Sequence, residues 1–237
     1  MVTRPSGNRR RRTPLPDPEL SPTPPGPFHH RLDLAEKPTS FVVYRGQVTD
    51  SEYSGIFAFE GDWDSADLGK GWSIRPTLET LRDMFGIKFI HRQTGTGDEL
   101  RYYVDKWLTE GEKNYRDYTV GYFRFHGNPG LIYPGDDGVT LSELEEWIDG
   151  RAEGRVIVFH SCSTLKITEQ RITEFLDHTK ASAVVGYAED VDSLEAISFE
   201  LLALWALTGH PPDQAREHLD EHYGEFTKRL KMTFHSA

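Results

Sequence analysis

The sequence predicts an α/β protein, a three-layer αβα sandwich built on a mostly parallel sheet. Three observations carry that prediction. Short strand-like runs alternate with helix-like stretches from about residue 40 onward, the order expected of parallel strands joined by crossover helices. Two of the runs, RVIVFHSC (155–162) and ASAVVGYAE (181–189), are almost continuously apolar, as strands covered on both faces must be. The stretches between them repeat apolar residues at three- and four-residue intervals, which line one face of a helix.

Taken in order, FVVYRGQV (41–48) and GIFAFEG (55–61) are rich in aromatic and β-branched residues and read as strands. RPTLETLRDMFG (75–86) reads as a helix with Pro76 in its first turn, Leu78, Leu81 and Phe85 on one face, and Gly86 as its stop. IKFIHRQ (87–93) is a strand, and DELRYYVDKWLTE (98–110) a helix opened by Asp98 with the stripe Leu100, Val104, Trp107 and Leu108. YTVGYFRFHG (118–127) is a strand that runs into a Gly-Asn-Pro-Gly turn, and LIYPGDDGVTL is a hairpin on PGDDG. SELEEWIDGRA opens with Ser142 and Glu145 at capping-box spacing, the mark of a helix start. Beyond the strand 155–162 come a helix (167–180), the strand 181–189 and a strongly apolar helix, SLEAISFELLALWALTG (193–209). Its run LLALWAL suits a helix covered on most sides, and equally a dimer contact. DQAREHLDEHYGEFTKRLK reads as an exposed polar helix.

The amino end is different in kind. Residues 1–30 hold eight of the fourteen prolines and the run Arg9 to Arg12, with almost nothing to bury, and are expected to be a disordered tail. Residues 31–237 form the expected globular domain. Met1 to Arg12 is basic enough to begin a signal peptide, but no apolar segment follows it, so no export signal is expected. No run approaches the roughly 20 apolar residues that span a bilayer, so no membrane partner is expected.

The net charge of −11 is unevenly spread: six arginines against Asp17 and Glu19 give +4 over residues 1–31, leaving −15 for the remainder. An acidic globule is a poor match for nucleic acid, whose backbone calls for a basic surface, and only the tail offers a weak contact. The chain has one cysteine, Cys162. That excludes an internal disulfide and a cysteine-rich zinc site, and an unpaired thiol fits the reducing cytoplasm.

Cys162 and His126 stand where an open parallel sheet concentrates function, beyond the carboxyl ends of strands. Neighbouring parallel strands bring both side chains to one edge. A free thiol, with a pKa near ~8.5, is mostly protonated at neutral pH, and an adjacent imidazole supplies the thiolate that nucleophilic catalysis needs. Gly127 has no side chain to obstruct the approach of a substrate carbonyl to its N–H. The opposing reading is that a lone cysteine at a strand end fills the core, as most free cysteines do. Likewise His160 reads as a packed strand histidine, and the acidic loop 189–192 as a helix amino terminus.

Three stretches, YFRFHGNPG, RVIVFHSCST and ASAVVGYAEDVDSLEAISFELLALW, resemble the clan CD cysteine peptidases: caspases, separase, gingipains and bacterial CHAT domains. The resemblance spans about residues 53–209. It implies a caspase-like sheet and a cytoplasmic thiol endopeptidase that needs no cofactor and no metal. Its partners would be a protein or peptide substrate and, in a bacterial defence or regulatory system, an activating partner. On that resemblance Cys162 is the nucleophile, His126 the acid and base, and the N–H groups of Gly127 and Cys162 the oxyanion donors. Asp190, with Glu189 and Asp192 beside it, matches the acidic position that holds a basic P1 side chain in separase-like members. Two features depart from the pattern. Ser163-Thr164-Leu165 follow the cysteine where many relatives carry a glycine, and His160 stands two residues before it. The alternative is an inactive caspase-like module that binds peptides or proteins through the same cleft.

One competing motif exists. His218, Glu221 and His222 fit H-x-x-E-H, an inverted zinc-peptidase signature. Downstream of His222 only Glu225 and His235 could complete a catalytic zinc site, so the exposed polar helix is the preferred reading.

Overall fold

A computed structural model of the chain describes residues 53–63, 72–109 and 115–237. The strand expected at 41–48 and the tail expected at 1–30 lie outside the described residues. Within the described residues, a six-stranded sheet is covered by helices on both faces, so the three-layer α/β expectation holds.

The strands are β1 (Ile56–Glu60), β2 (Phe89–Gln93), β3 (Val120–Arg124), β7 (Val156–His160), β8 (Ala183–Tyr187) and β9 (Met232–Ser236), with β4 to β6 in a small separate sheet. Their order is β2-β1-β3-β7-β8-β9. All neighbours run parallel except β8 and β9. The sequence reading contained no strand after the last helix. MTFHS mixes polar and apolar residues on an edge covered from one side only, so it lacks the continuous apolar run that betrays β7 and β8.

Most of the expected boundaries hold to within about two residues, and two caps move. Helix α1 (Arg75–Phe85) ends at Gly86, whose φ of 73° is the left-handed stop expected of glycine. Helix α2 (Gly97–Leu108) is capped by Thr96, whose hydroxyl accepts from Glu99 N, and not by Asp98. Helix α3 (Leu141–Ile148) carries its capping box two residues earlier than expected, on Thr140 and Glu143. Both pairs are S/T-x-x-E in form, and Thr140 wins because Leu141, Leu144 and Ile148 must face the core. Helices α4 (Glu169–Thr179), α5 (Ser193–Gly209) and α6 (Pro212–Arg229) follow, and α6 kinks at Tyr223.

Strand parity sorts the core into two layers. On one face Phe57, Phe59, Phe123, Ile157 and Phe159 pack against α2, α3 and α4 through Trp107, Leu144 and Phe175. On the other, Ile56, Ala58, Tyr122, Val158, Val185 and Tyr187 meet α1, α5 and α6 through Leu78, Phe199 and Leu219. Strand β3 does not continue to residue 127 as expected. It stops at Arg124, and after Phe125 the chain enters the three-stranded antiparallel sheet β4 (His126–Asn128), β5 (Leu131–Tyr133) and β6 (Val139–Thr140). Among the described residues, no helix is long and apolar enough to cross a membrane.

Candidate active site

Strands β3 and β7 are adjacent and parallel, with Arg124 opposite His160. His126 and Cys162 each lie two residues beyond that pair, so both emerge from the same carboxyl edge. The fit is tight there. A Cβ built on Gly127 would stand 2.7 Å from the Cys162 carbonyl oxygen and 2.8 Å from Ser161 Cβ. Only glycine lets the His126 strand lie against the cysteine turn. His126 is exposed and Cys162 half-buried, so solvent reaches both.

The hairpin fixes the backbone around His126. Pro129 and Gly130 form its two-residue turn, with Gly130 at φ 73°. Asn128 pairs with Leu131, Gly127 with Ile132 and His126 with Tyr133. In such a hairpin hydrogen-bonded and non-hydrogen-bonded pairs alternate outward from the turn, so the Gly127 N–H points away from β5 and is not consumed by it. The hairpin is tied to the cysteine turn by Gly130 N donating to Thr164 O (3.0 Å) and Thr164 Oγ1 donating to Leu131 O (3.2 Å).

The His126 ring has a definite orientation. Its Nε2 lies 3.0 Å from the Trp63 carbonyl oxygen. A carbonyl can only accept, so Nε2 carries a proton, and in the neutral ring Nδ1 then carries the lone pair. The Trp63 ring stands edge-on to the imidazole at 4.6 Å between centroids, and the Arg124 guanidinium lies over the same indole at 4.4 Å. Nothing in the sequence singles out Trp63. Its contribution is a backbone oxygen, which no side-chain pattern reveals.

Beneath the two residues runs a row of buried polar groups along the carboxyl edge. Glu60 accepts from His91 Nε2 (2.7 Å), Ser73 Oγ (2.7 Å) and Ile74 N (2.9 Å), and it pairs with Arg124. Burial alone would raise its pKa. The hydrogen bonds from His91 and Ser73, the charge of Arg124 and the Ile74 amide outweigh burial and bring it down to about 2. The second cluster centres on Glu200 of α5, which is fully buried. Tyr122 and Tyr187 donate their hydroxyls to it, the latter at 3.2 Å. His160 Nδ1 lies against Glu200 Oε1 at ion-pair range but off the line of a good hydrogen bond. Burial first, then the Glu200 charge, pushes both phenols well above their ordinary range, so they remain donors. His160 is thus a buried strand histidine packed against Glu200, Tyr122 and Tyr187.

The three acidic candidates are not equivalent. Asp192 caps α5, its Oδ1 accepting from Leu194 N (3.0 Å) and Glu195 N (3.1 Å). Asp190 Oδ1 accepts from Ser163 Oγ at 2.7 Å. Glu189 accepts Ser163 N through its carbonyl (3.1 Å) and lines a groove with Arg216, Lys228 and Lys231. The structure therefore sets Gly127 against the Cys162 turn with His126 on the same sheet edge, places the 189–190 loop against that turn, and gives Asp192 to a helix.

At H-x-x-E-H, His218 and His222 sit on α6 with ring centroids 4.5 Å apart, and His210 approaches His218 at 6.2 Å. Burial and then these two neighbours lower the pKa of His218. Among the described residues no three His, Cys, Asp or Glu side chains are grouped to hold a metal ion.

Residues 53–230 match DUF6642, a family of unknown function, and the chain belongs to that family. No curated protein matches the chain.

Proposed function

We propose that the protein is a cysteine endopeptidase whose working pair is Cys162 and His126. The observation that supports this reading is the placement of His126 and Cys162 beyond neighbouring strand ends on one sheet edge, with His126 Nε2 turned to the Trp63 carbonyl and Nδ1 the remaining ring nitrogen. A base oriented by a third group is the general signature of an activated nucleophile.

The chemistry follows from those atoms. His126 Nδ1 takes the thiol proton, and the Cys162 sulfur attacks the scissile carbonyl carbon. The N–H groups of Gly127 and Cys162 stabilise the oxyanion. His126 returns the proton to the leaving amine, and water then releases the acyl group from the thioester. The Trp63 carbonyl holds the Nε2 proton throughout and favours the imidazolium that forms. The caspase-like and CHAT resemblance of the same segments supports this assignment, and a single unpaired thiol is consistent with work in the cytoplasm. A preference for basic P1 residues would draw on Glu189, since Asp190 and Asp192 already have partners, and there the basic side chain would compete with Arg216, Lys228 and Lys231 of the same groove.

Fluorogenic peptides with Arg, Asp or Leu at P1 test both statements. Wild type should turn over at least one of them, and Cys162→Ala none. Equal or faster hydrolysis at Asp would remove the basic preference. No turnover by wild type on a broad peptide library, with slow alkylation of Cys162, would favour a binding module instead.

A further inference from the structure

The turn that carries the nucleophile is held in a conformation its sequence does not favour. Ser163, directly after Cys162, has φ 56°. For a residue with a side chain that left-handed region costs roughly 1–2 kcal/mol, and glycine is its usual occupant. Ser163 is buried and attached to the acidic loop at two points: its N–H donates to Glu189 O (3.1 Å) and its hydroxyl to Asp190 Oδ1 (2.7 Å). Leu165 N donates to Tyr187 O at the end of β8 (3.1 Å), and Lys166 N closes the turn on Ser163 O (2.8 Å).

We propose, on the reading of Cys162 as nucleophile, that Asp190 is a positioning residue that clamps the nucleophile turn through Ser163, and does not bind a P1 side chain. A charged acceptor makes the stronger kind of hydrogen bond. It compensates for the strained serine where a glycine would need no help. The departure at Ser163-Thr164-Leu165 and the acidic loop are then two halves of one device. Loss of the clamp lets the turn relax, and a displacement of about 1 Å at a reacting atom is enough to lower turnover about 10²-fold.

The two roles for Asp190 predict opposite mutant patterns. For a clamp, Asp190→Ala lowers kcat roughly tenfold or more on Arg, Asp and Leu substrates alike, with KM changed little. Asp190→Asn keeps an oxygen acceptor, and its kcat stays well above that of Asp190→Ala. Adding Ser163→Gly to Asp190→Ala restores kcat, because glycine adopts the same φ unaided. Hydrogen exchange of the 161–165 amides quickens in Asp190→Ala and returns toward wild type in the other two. For a pocket acid, Asp190→Asn is as damaging as Asp190→Ala, the loss falls in KM for Arg substrates alone, and Ser163→Gly rescues nothing. That pattern, or unchanged exchange in Asp190→Ala, overturns the proposal. If wild type hydrolyses no peptide, the peptidase reading falls by itself. The exchange pattern across the three variants then decides the clamp: present, it supports the clamp; absent, it overturns it.

Discussion

The two faces of the central sheet use the same strands for different ends. Toward α2, α3 and α4 the sheet presents Phe57, Phe59, Phe123 and Phe159, and the layer is apolar up to its rim. Toward α1, α5 and α6 the strands begin with aliphatic residues and finish in Glu60, Arg124, His160 and Tyr187, met by Glu200 from α5. Burying such groups is costly unless each finds a partner. Here each carboxylate gathers several. The difference teaches that one face supplies cohesion, while the carboxyl end of the other supplies a rigid polar base directly under His126 and Cys162.

That contrast can be broken at either face. The largest effect belongs to the edge itself. His126→Ala should lower kcat/KM by 10³-fold or more (about 4 kcal/mol) while the melting temperature moves by only a few degrees, because the ring is exposed. On the apolar face, Phe59→Ala should destabilise the fold by about 3–5 kcal/mol in urea unfolding. Whatever folded protein remains should keep its peptide selectivity. Gly127→Ala, whose new methyl would press on the Cys162 carbonyl, should lower turnover about 10²-fold, measured beside circular dichroism to show that the fold persists.

The polar face sharpens the comparison through pH. The folded pKa of Glu60 is about 2, below its value of 4.5 in an ordinary carboxyl. Its contribution is therefore complete above about pH 4.5 and is lost as the pH falls toward 2. Urea midpoints measured between pH 6 and 2 should fall through that window for wild type, and less steeply for Glu60→Gln. A parallel decline in both would remove Glu60 from the account. The smallest effect is expected at Asn128, whose exposed amide donates to Tyr133 Oη at 3.0 Å. Asn128→Ala should change stability by less than about 1 kcal/mol.

Much of this fold was legible in the sequence. Apolar run length found β7 and β8, and the repeat of Leu78, Leu81 and Phe85 found α1, because burial imposes those periods directly. The cap of α3 was misplaced because two threonine- or serine-headed boxes overlap, and only the core contacts of Leu141 choose between them. Strand β9 was missed because an edge strand need not be apolar on both faces. At the candidate site, the shared sheet edge of His126, Gly127 and Cys162 was legible because each lies just past an apolar strand run. Trp63, Glu60 and Glu200 were not, since a carbonyl oxygen and two carboxylates tens of residues away acquire their roles only when the sheet brings them together.

The central claim is that an oriented imidazole activates the one thiol of this chain. The direct measurement is the rate of Cys162 alkylation by iodoacetamide at pH 7, in wild type and in His126→Ala, followed by mass spectrometry. Wild type should react about tenfold faster or more than the variant, and the variant should react like an ordinary unactivated thiol. Equal rates in the two folded proteins would show that His126 does not act on Cys162, and would contradict the account.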